Sequence, residues 1–364
     1  MENLGLVQCK KLPVALPATI SVDDLNGHFV SSSVNPLYDG PAVQISTERC
    51  SEPFTFSPIT NRCVSSALAR ITTRACGPDN LPIQAFKTFK ELLKYAADGH
   101  FHNSLLTMAS IPSRWKSSIV VPIAKVCDPT SPSDFRPISL LCALSKVLER
   151  IVYDQLVVHL AYGNYLDPRQ VAGLVFVRAW EYNQPSCAWW MTTFPKPLTP
   201  STMRWFYGSY DLLIYLTTWL SGSNLTCRTQ VVCDPTGVTS GLRPLLSGVP
   251  QGSVLGPLLF TLFVNNLPQC LSRCRHLLYA DDLVIYLSCL PSDMNEASAA
   301  VNADIESVWS LSARNRLSLN VNKTKAMVIG SSKYINAISA MQLPSLCLGG
   351  HPIDFVTSLR TSAS

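Results

Sequence analysis

Leu277-Leu278-Tyr279-Ala280-Asp281-Asp282-Leu283-Val284-Ile285-Tyr286 sets two adjacent carboxylates between two apolar runs. Leu277 to Ala280 and Leu283 to Tyr286 are strand-like. The two residues between them, Asp281 and Asp282, give the spacing of a tight hairpin, without the glycine such turns usually carry. Neighbouring carboxylates repel, so a purely structural turn is poorly served by them unless a cation sits between. Magnesium is the natural guest. Held by carboxylates and substrate phosphates, divalent ions activate a hydroxyl nucleophile and steady a leaving pyrophosphate. The plainer alternative is a solvated turn, where aspartate is common.

Outward from this pair the texture is mixed. Downstream, Ala297 to Ala313 spaces Val301, Ile305, Val308 and Trp309 as an amphipathic helix, and Leu317 to Lys323 and Ala326 to Ile329 read as short strands. Upstream, Leu246-Ser247-Gly248-Val249-Pro250-Gln251-Gly252-Ser253 is a turn-rich loop feeding a helix over Val254 to Leu267. The clearest helix runs from Ser139 to about Leu160, with Leu144, Val147, Leu148, Ile151, Val152 and Leu156 on the buried face and Lys146, Glu149 and Arg150 opposite. Ile119 to Lys125 is a strand, Phe86 to Tyr95 a helix, and Val64 to Ile71 a helix with a Ser or Thr for its N-cap. Between Gln170 and Arg204 no period is sustained.

Composition narrows the class. Lys plus Arg is 29 against 24 for Asp plus Glu, a net charge of +5 that permits a polyanionic partner without demanding one. Charged residues are 15% of the 364-residue chain, against about 25% in an average protein, which excludes long charged tails and wholesale disorder. Trp205 to Thr226 and Pro244 to Ser272 are nearly uncharged, but Gly248, Pro250, Gly252, Gly256, Pro257 and Pro268 interrupt the second, so no membrane span is expected. No basic region followed by an apolar run opens the chain. An intracellular protein, nuclear or cytoplasmic, with 13 reduced cysteines is expected. Cys270, Cys274 and His276 lack the remainder of a zinc site and read as structural.

The segment Tyr279-Ala280-Asp281-Asp282, preceded by Ser247-Gly248-Val249-Pro250-Gln251-Gly252-Ser253, resembles the catalytic palm of reverse transcriptases from non-LTR (LINE-type) retrotransposons. Asp134-Phe135-Arg136-Pro137-Ile138-Ser139-Leu140 resembles the family's fingers block, Gly77-Pro78-Asp79 its upstream segment, and Asn320 to Gly330 with Lys323-Thr324-Lys325 the motif after the catalytic turn. The resemblance implies an α+β fold, a right-hand polymerase's fingers and palm, with an antiparallel palm sheet and packed helices. The implied parts are a leader at 1–53, a fingers-like part at 54–170, an irregular junction at 171–204, a palm-like part at 205–330 and a truncated end at 331–364. The implied reaction is RNA-directed DNA synthesis on an RNA template and DNA primer from deoxynucleoside triphosphates, with Mg²⁺ or Mn²⁺.

Roles follow position by position. Asp281 would ligand the metals and Asp282 assist, with Tyr279 and Ala280 setting the turn against the primer end. Gly248, Pro250, Gln251 and Gly252 would line template base and incoming nucleotide, since glycine lets a backbone approach closely. Lys125 and Arg136 would neutralise the triphosphate, and Lys323 would be the general acid toward pyrophosphate.

One departure is conspicuous. Family members carry, before the Gly-Val-Pro-Gln-Gly loop, a strand ending in an aspartate and followed by Ala-Phe-Asp, which supplies the third metal ligand. Gln170-Val171-Ala172-Gly173-Leu174 resembles the start of that interval and Trp219-Leu220-Ser221-Gly222 its end, but no such aspartate lies between. Asp211 has no Ala-Phe-Asp after it and sits too near the loop. Activity is therefore expected to be weak or lost, and a non-catalytic, nucleic-acid-binding remnant of a retrotransposon polyprotein is the alternative.

Overall fold

Alternation along Ser117–Ala124 (β1), with every second residue buried, makes this strand the centre of a four-stranded sheet ordered β2-β1-β3-β4. The computed structural model describes residues 16–31, 54–73, 75–89, 112–163, 166–167, 169–170, 229–245, 249–279, 282–315, 317–330, 335–336 and 344–357. These group into two units. The first takes the described residues of Met1–Val34, Ser46–Leu156 and Thr199–Gly256, the second those of Asn35–Ile45, Val157–Leu198 and Pro257–Ser364. The expected segments 54–170 and 205–330 are thus each divided between the two. The interval 171–204, Asp211 and the uncharged stretch from Trp205 lie outside the described residues.

In the first unit, β2 (Phe135–Leu140) runs antiparallel to β1 with Ile123 opposite Arg136. β3 (Thr229–Val232) runs parallel to β1, and β4 (Arg243–Pro244) antiparallel to β3. The sheet is therefore mixed. In the expected fingers block Asp134 closes a 3₁₀ turn, and the strand from Phe135 runs on through Ser139 and Leu140, where a helix was expected to start, because pairing with β1 supplies its hydrogen bonds. A helix within the expected leader, α1 (Val22–Ser31), is built into this sheet's core. Leu25 and Phe29 pack with Val120, Ala124, Phe135 and Val232. Its start is a reciprocal box, Asp24 N–H donating to Ser21 Oγ and Ser21 N–H to Asp24 Oδ2. Asn26, fully buried, is held to this sheet by Gln230 and Ser240.

Two further helices follow along the chain. Thr60 caps α2 (Asn61–Arg70), accepting from Cys63 N–H. α3 (Ile83–Thr88) starts before the expected Phe86 to Tyr95 helix and overlaps only its first residues, while 90–95 lie outside the described residues. α4 (Ala143–Tyr162) buries Val147, Leu148, Ile151, Val152, Leu156 and Leu160 as its spacing demands. It also buries Lys146 and Glu149, at 7% and 3% exposure, which corrects their expected solvent placement. Arg70 pairs with Asp154, and Gln155 brackets Ser57 by its backbone N–H and carbonyl.

The second unit is built on the hairpin of β5 (Arg275–Tyr279) and β6 (Asp282–Tyr286), together with the long α6 (Met294–Arg314). Nine residues, Gly256–Val264, form α5. The expected span to Leu267 ends early, and Leu267–Cys270 tightens into a 3₁₀ turn with Pro268 near its start. No helix among the described residues is long and apolar enough to cross a membrane. α6 buries Val301, Ile305 and Val308. Asp304 on α6 accepts from the N–H groups of Ser272, Arg273 and Cys274 and from the Ser272 hydroxyl, fixing the approach to β5. Burial works to raise its pKa, but these donations outweigh it and hold the carboxyl below its ordinary range. Of the strands expected after α6, Leu317 to Lys323 ends in a turn, and only Lys325–Ala326 (β7) pairs, in parallel with Asp354–Phe355.

Candidate active site

The hairpin register places Tyr279 opposite Asp282. The expected pair of turn residues is therefore split. Asp282 is the first residue of β6 and is buried, at 5% exposure, while Tyr279 ends β5 at 41%. The strand continues into Asp282 because its backbone pairs with Tyr279, which leaves Ala280 and Asp281 between them in sequence. Both of those lie outside the described residues. Leu283, Val284 and Ile285 follow in full burial, so the carboxylate of Asp282 is anchored by a rigid apolar strand.

The other edge of β5 is also covered. Gln170 bridges Leu278 in parallel, and Leu278 N–H donates to Arg169 C=O at 3.2 Å. Gln170 Nε2 donates to Thr261 C=O, and Asp167 N–H to Asn265 Oδ1. His276, buried on β5, meets Asp167 Oδ2 through Nε2 at 2.9 Å. That histidine serves strand placement. Cys270 and Cys274, its neighbours in the C-x3-C-x-H run, have thiols that burial pushes up to about 11 and about 12. They are protonated at neutral pH.

Lys323 lies exposed in the turn after α6, where its N–H is held by Asn320. Lys325, two residues on, is committed to Asp354 at 2.6 Å.

The first unit carries the loop candidates. Gln251 C=O accepts from Ser139 N–H of β2 at 2.7 Å, and Gly252 has φ of +116°, a conformation reserved in practice for glycine. A Cβ there would meet Ser139 O at 2.7 Å. Pro250 C=O accepts from Ser253 N–H, and Ser253 Oγ from Gly256 N–H at the start of α5. Gly248 lies outside the described residues. Arg136, on the same strand as Ser139, is exposed, and Lys125 follows β1 with Nζ donating to Ser133 C=O at 2.6 Å. One sheet thus brings Pro250, Gln251 and Gly252 together with the strand of Arg136, with Lys125 at its edge.

Glu149 is the residue that pattern reading misplaced. Its Oε2 accepts from Val254 N–H at 2.6 Å and Leu255 N–H at 3.2 Å, so a buried α4 carboxylate grips the backbone just past the loop. Burial raises its pKa from 4.5 to about 7, against those donations and the nearby Lys146. The folded state therefore binds this proton more tightly than the unfolded chain does, and the associated stability is present below about pH 4.5 and lost as pH rises through 7. At about 1.4 kcal/mol per pH unit that is about 3 kcal/mol. Lys146, its ammonium disfavoured by burial, acts with the opposite sign in the alkaline range. Urea denaturation between pH 5 and 7.5 should show stability falling, and Glu149→Gln should flatten the slope; an unchanged slope would contradict the assignment.

Residues 213–355 match the family model described as reverse transcriptase (RNA-dependent DNA polymerase). That match contains the 249–253 loop, the β5–β6 hairpin and Lys323, while Lys125 and Arg136 precede it. The chain is 29% identical over 185 residues to the RNA-directed DNA polymerase from mobile element jockey of Drosophila melanogaster, covering 46% of this chain and 20% of that protein. It is 27% identical over 266 residues to the probable RNA-directed DNA polymerase from transposon BS of the same organism, covering 61% and 27%. A similar polymerase from transposon X-element is 26% identical over 188 residues, covering 46% and 20%. The chain thus spans about a fifth to a quarter of the length of these relatives. The paired carboxylates at the hairpin and the glycine-bearing loop upstream lie within the matched residues, and residues 213–355 are similar to the reverse transcriptase domain of such mobile elements.

Proposed function

We propose that this domain is a polymerase fingers and palm for RNA-directed DNA synthesis, adding deoxynucleotides to a primer 3′-end on an RNA template. The observation that carries the reading is the β5–β6 hairpin, which anchors Asp282 at a strand start directly after Asp281 within the family match. Reverse transcriptases generally work with divalent ions, typically Mg²⁺. The donor set fits such an ion, since adjacent carboxylates offer hard oxygen ligands and one of them sits on a buried, paired strand. Bound there, Mg²⁺ supplies charge stabilisation to the attacking and leaving oxygens.

The chain's own residues do the rest. Asp281 would hold the ion with Asp282 assisting, and Tyr279 and Ala280 would set the turn toward the primer end. Pro250, Gln251 and Gly252, with Gly248, line the template base and incoming nucleotide. Lys125 and Arg136 offset triphosphate charge, and Lys323 protonates the departing pyrophosphate. Lacking the first aspartate-bearing segment, the site is slowed by several powers of ten, as expected where catalysis rests on metal charge. That absence also favours a second reading, a domain that binds nucleic acid without extending it.

Primer extension on an RNA template separates the two. A version of the chain with an aspartate-bearing strand segment inserted within 171–204 should extend primers at least about 100-fold faster than the parent, as restoring one such electrostatic contact would give. Extension by neither protein, with nucleic-acid affinity that falls steeply as salt rises, would replace the first reading with the second.

A further inference from the structure

The loop 249–253 has no regular secondary structure of its own, yet it is tied down at its middle and again just past its end. On one side Ser139 N–H of β2 holds Gln251 C=O at 2.7 Å. On the other, Glu149 Oε2 takes the N–H groups of Val254 and Leu255. Between the two ties the chain reverses through Gly252 at φ +116°. Glu149 is 3% exposed on the fully packed side of α4, with Val147 and Leu148 beside it. A buried carboxylate is expensive to keep, and an apolar residue of similar size would ordinarily serve α4 better. Its presence calls for a use that packing does not supply.

We infer that Glu149 is a positioning residue for the incoming nucleotide, its carboxylate fixing the backbone that carries Pro250, Gln251 and Gly252. The inference rests on the proposed polymerase reading for the loop's role, but the grip itself is a matter of backbone order. Two backbone amides converge on one oxygen, so removing the acceptor frees both at once and orphans them in a buried setting. Ser139 then holds the loop at Gln251, with the tie past its end gone. A nucleotide that needs the loop in a single conformation binds more weakly, by the fraction of time that conformation is lost. Chemistry at the hairpin carboxylates is left unaltered.

The experiment compares Glu149→Leu with Glu149→Gln in the full chain carrying the inserted aspartate segment, with a complementary deoxynucleoside triphosphate on a primer–RNA template. Glu149→Leu should raise KM for the nucleotide about tenfold, with kcat within about twofold, as expected of lost binding that is equal in ground and transition states. Amide hydrogen exchange should quicken across 249–255 and stay unchanged in α1 and β1. Glu149→Gln, which keeps an acceptor oxygen, should restore most of both. Unchanged exchange at 249–255 in Glu149→Leu overturns the inference. So does a change in exchange spread over the whole first unit, or a fall in kcat at constant KM, since either marks a merely structural residue. Quickened exchange confined to 249–255 with no primer extension by any version supports the grip and overturns the polymerase reading alone.

Discussion

Replacing Asp281 with alanine is expected to abolish primer extension. In the chain carrying the inserted aspartate segment, the loss should be about 10³-fold or more, because a carboxylate that holds the ion acts on both the attacking and leaving oxygens. The parent chain, already slowed, should fall below detection. β6 begins at Asp282 and is paired to β5 through its backbone, so stability should change by under about 1 kcal/mol. Circular dichroism and urea denaturation check that the fold survives. Extension that persists in Asp281→Ala would remove Asp281 from the metal site. Asp282 calls for a different variant, since alanine would also open space beneath a buried strand end; Asp282→Asn keeps the shape and tests charge alone.

The second large effect is on stability. Gly252→Ala should cost about 4 kcal/mol, combining a backbone conformation disfavoured for L-residues with a steric overlap. The overlap is with the carbonyl oxygen of Ser139, 2.7 Å from where the Cβ would lie, and a backbone atom within a paired strand cannot step aside. Gly237 supplies the control. Its φ is +90°, but nothing lies within 4 Å of its would-be Cβ. Gly237→Ala should therefore cost only the conformational part, about 1 kcal/mol. With a urea dependence of about 1–3 kcal/mol per molar, the Gly252 variant should unfold at least about 1 M earlier than the parent. Equal midpoints for the two variants would mean that the close approach to Ser139 carries no energy.

Much of the local structure could be read without coordinates. The spacing of Val147, Leu148, Ile151, Val152 and Leu156 announced α4, and that of Val301, Ile305 and Val308 announced α6, because apolar side chains at this period share one side of the chain only when it is helical. The strand Ile119 to Lys125 and the existence of the β5–β6 hairpin were equally plain. Harder to see was the partner of each element. β2 looks like a loop leading to a helix until β1 lies beside it, and α1 looks like leader sequence until Leu25 and Phe29 meet Val120 and Phe135.

The site divides along the same line. Sequence by itself carried the resemblance on which the proposed reaction rests, through paired carboxylates, a Gly-Val-Pro-Gln-Gly loop and basic residues in a fixed order. Tertiary structure decided that Asp282 opens a strand opposite Tyr279. A hairpin register shifts with cross-strand pairing, and no side-chain pattern in Tyr279 to Asp282 reveals it. It also decided that Lys146 and Glu149 are buried. Helical periodicity reports only the apolar stripe, whereas a carboxylate enters a core when backbone amides elsewhere in the fold are waiting for it, and Val254 and Leu255 stand more than a hundred positions along the chain.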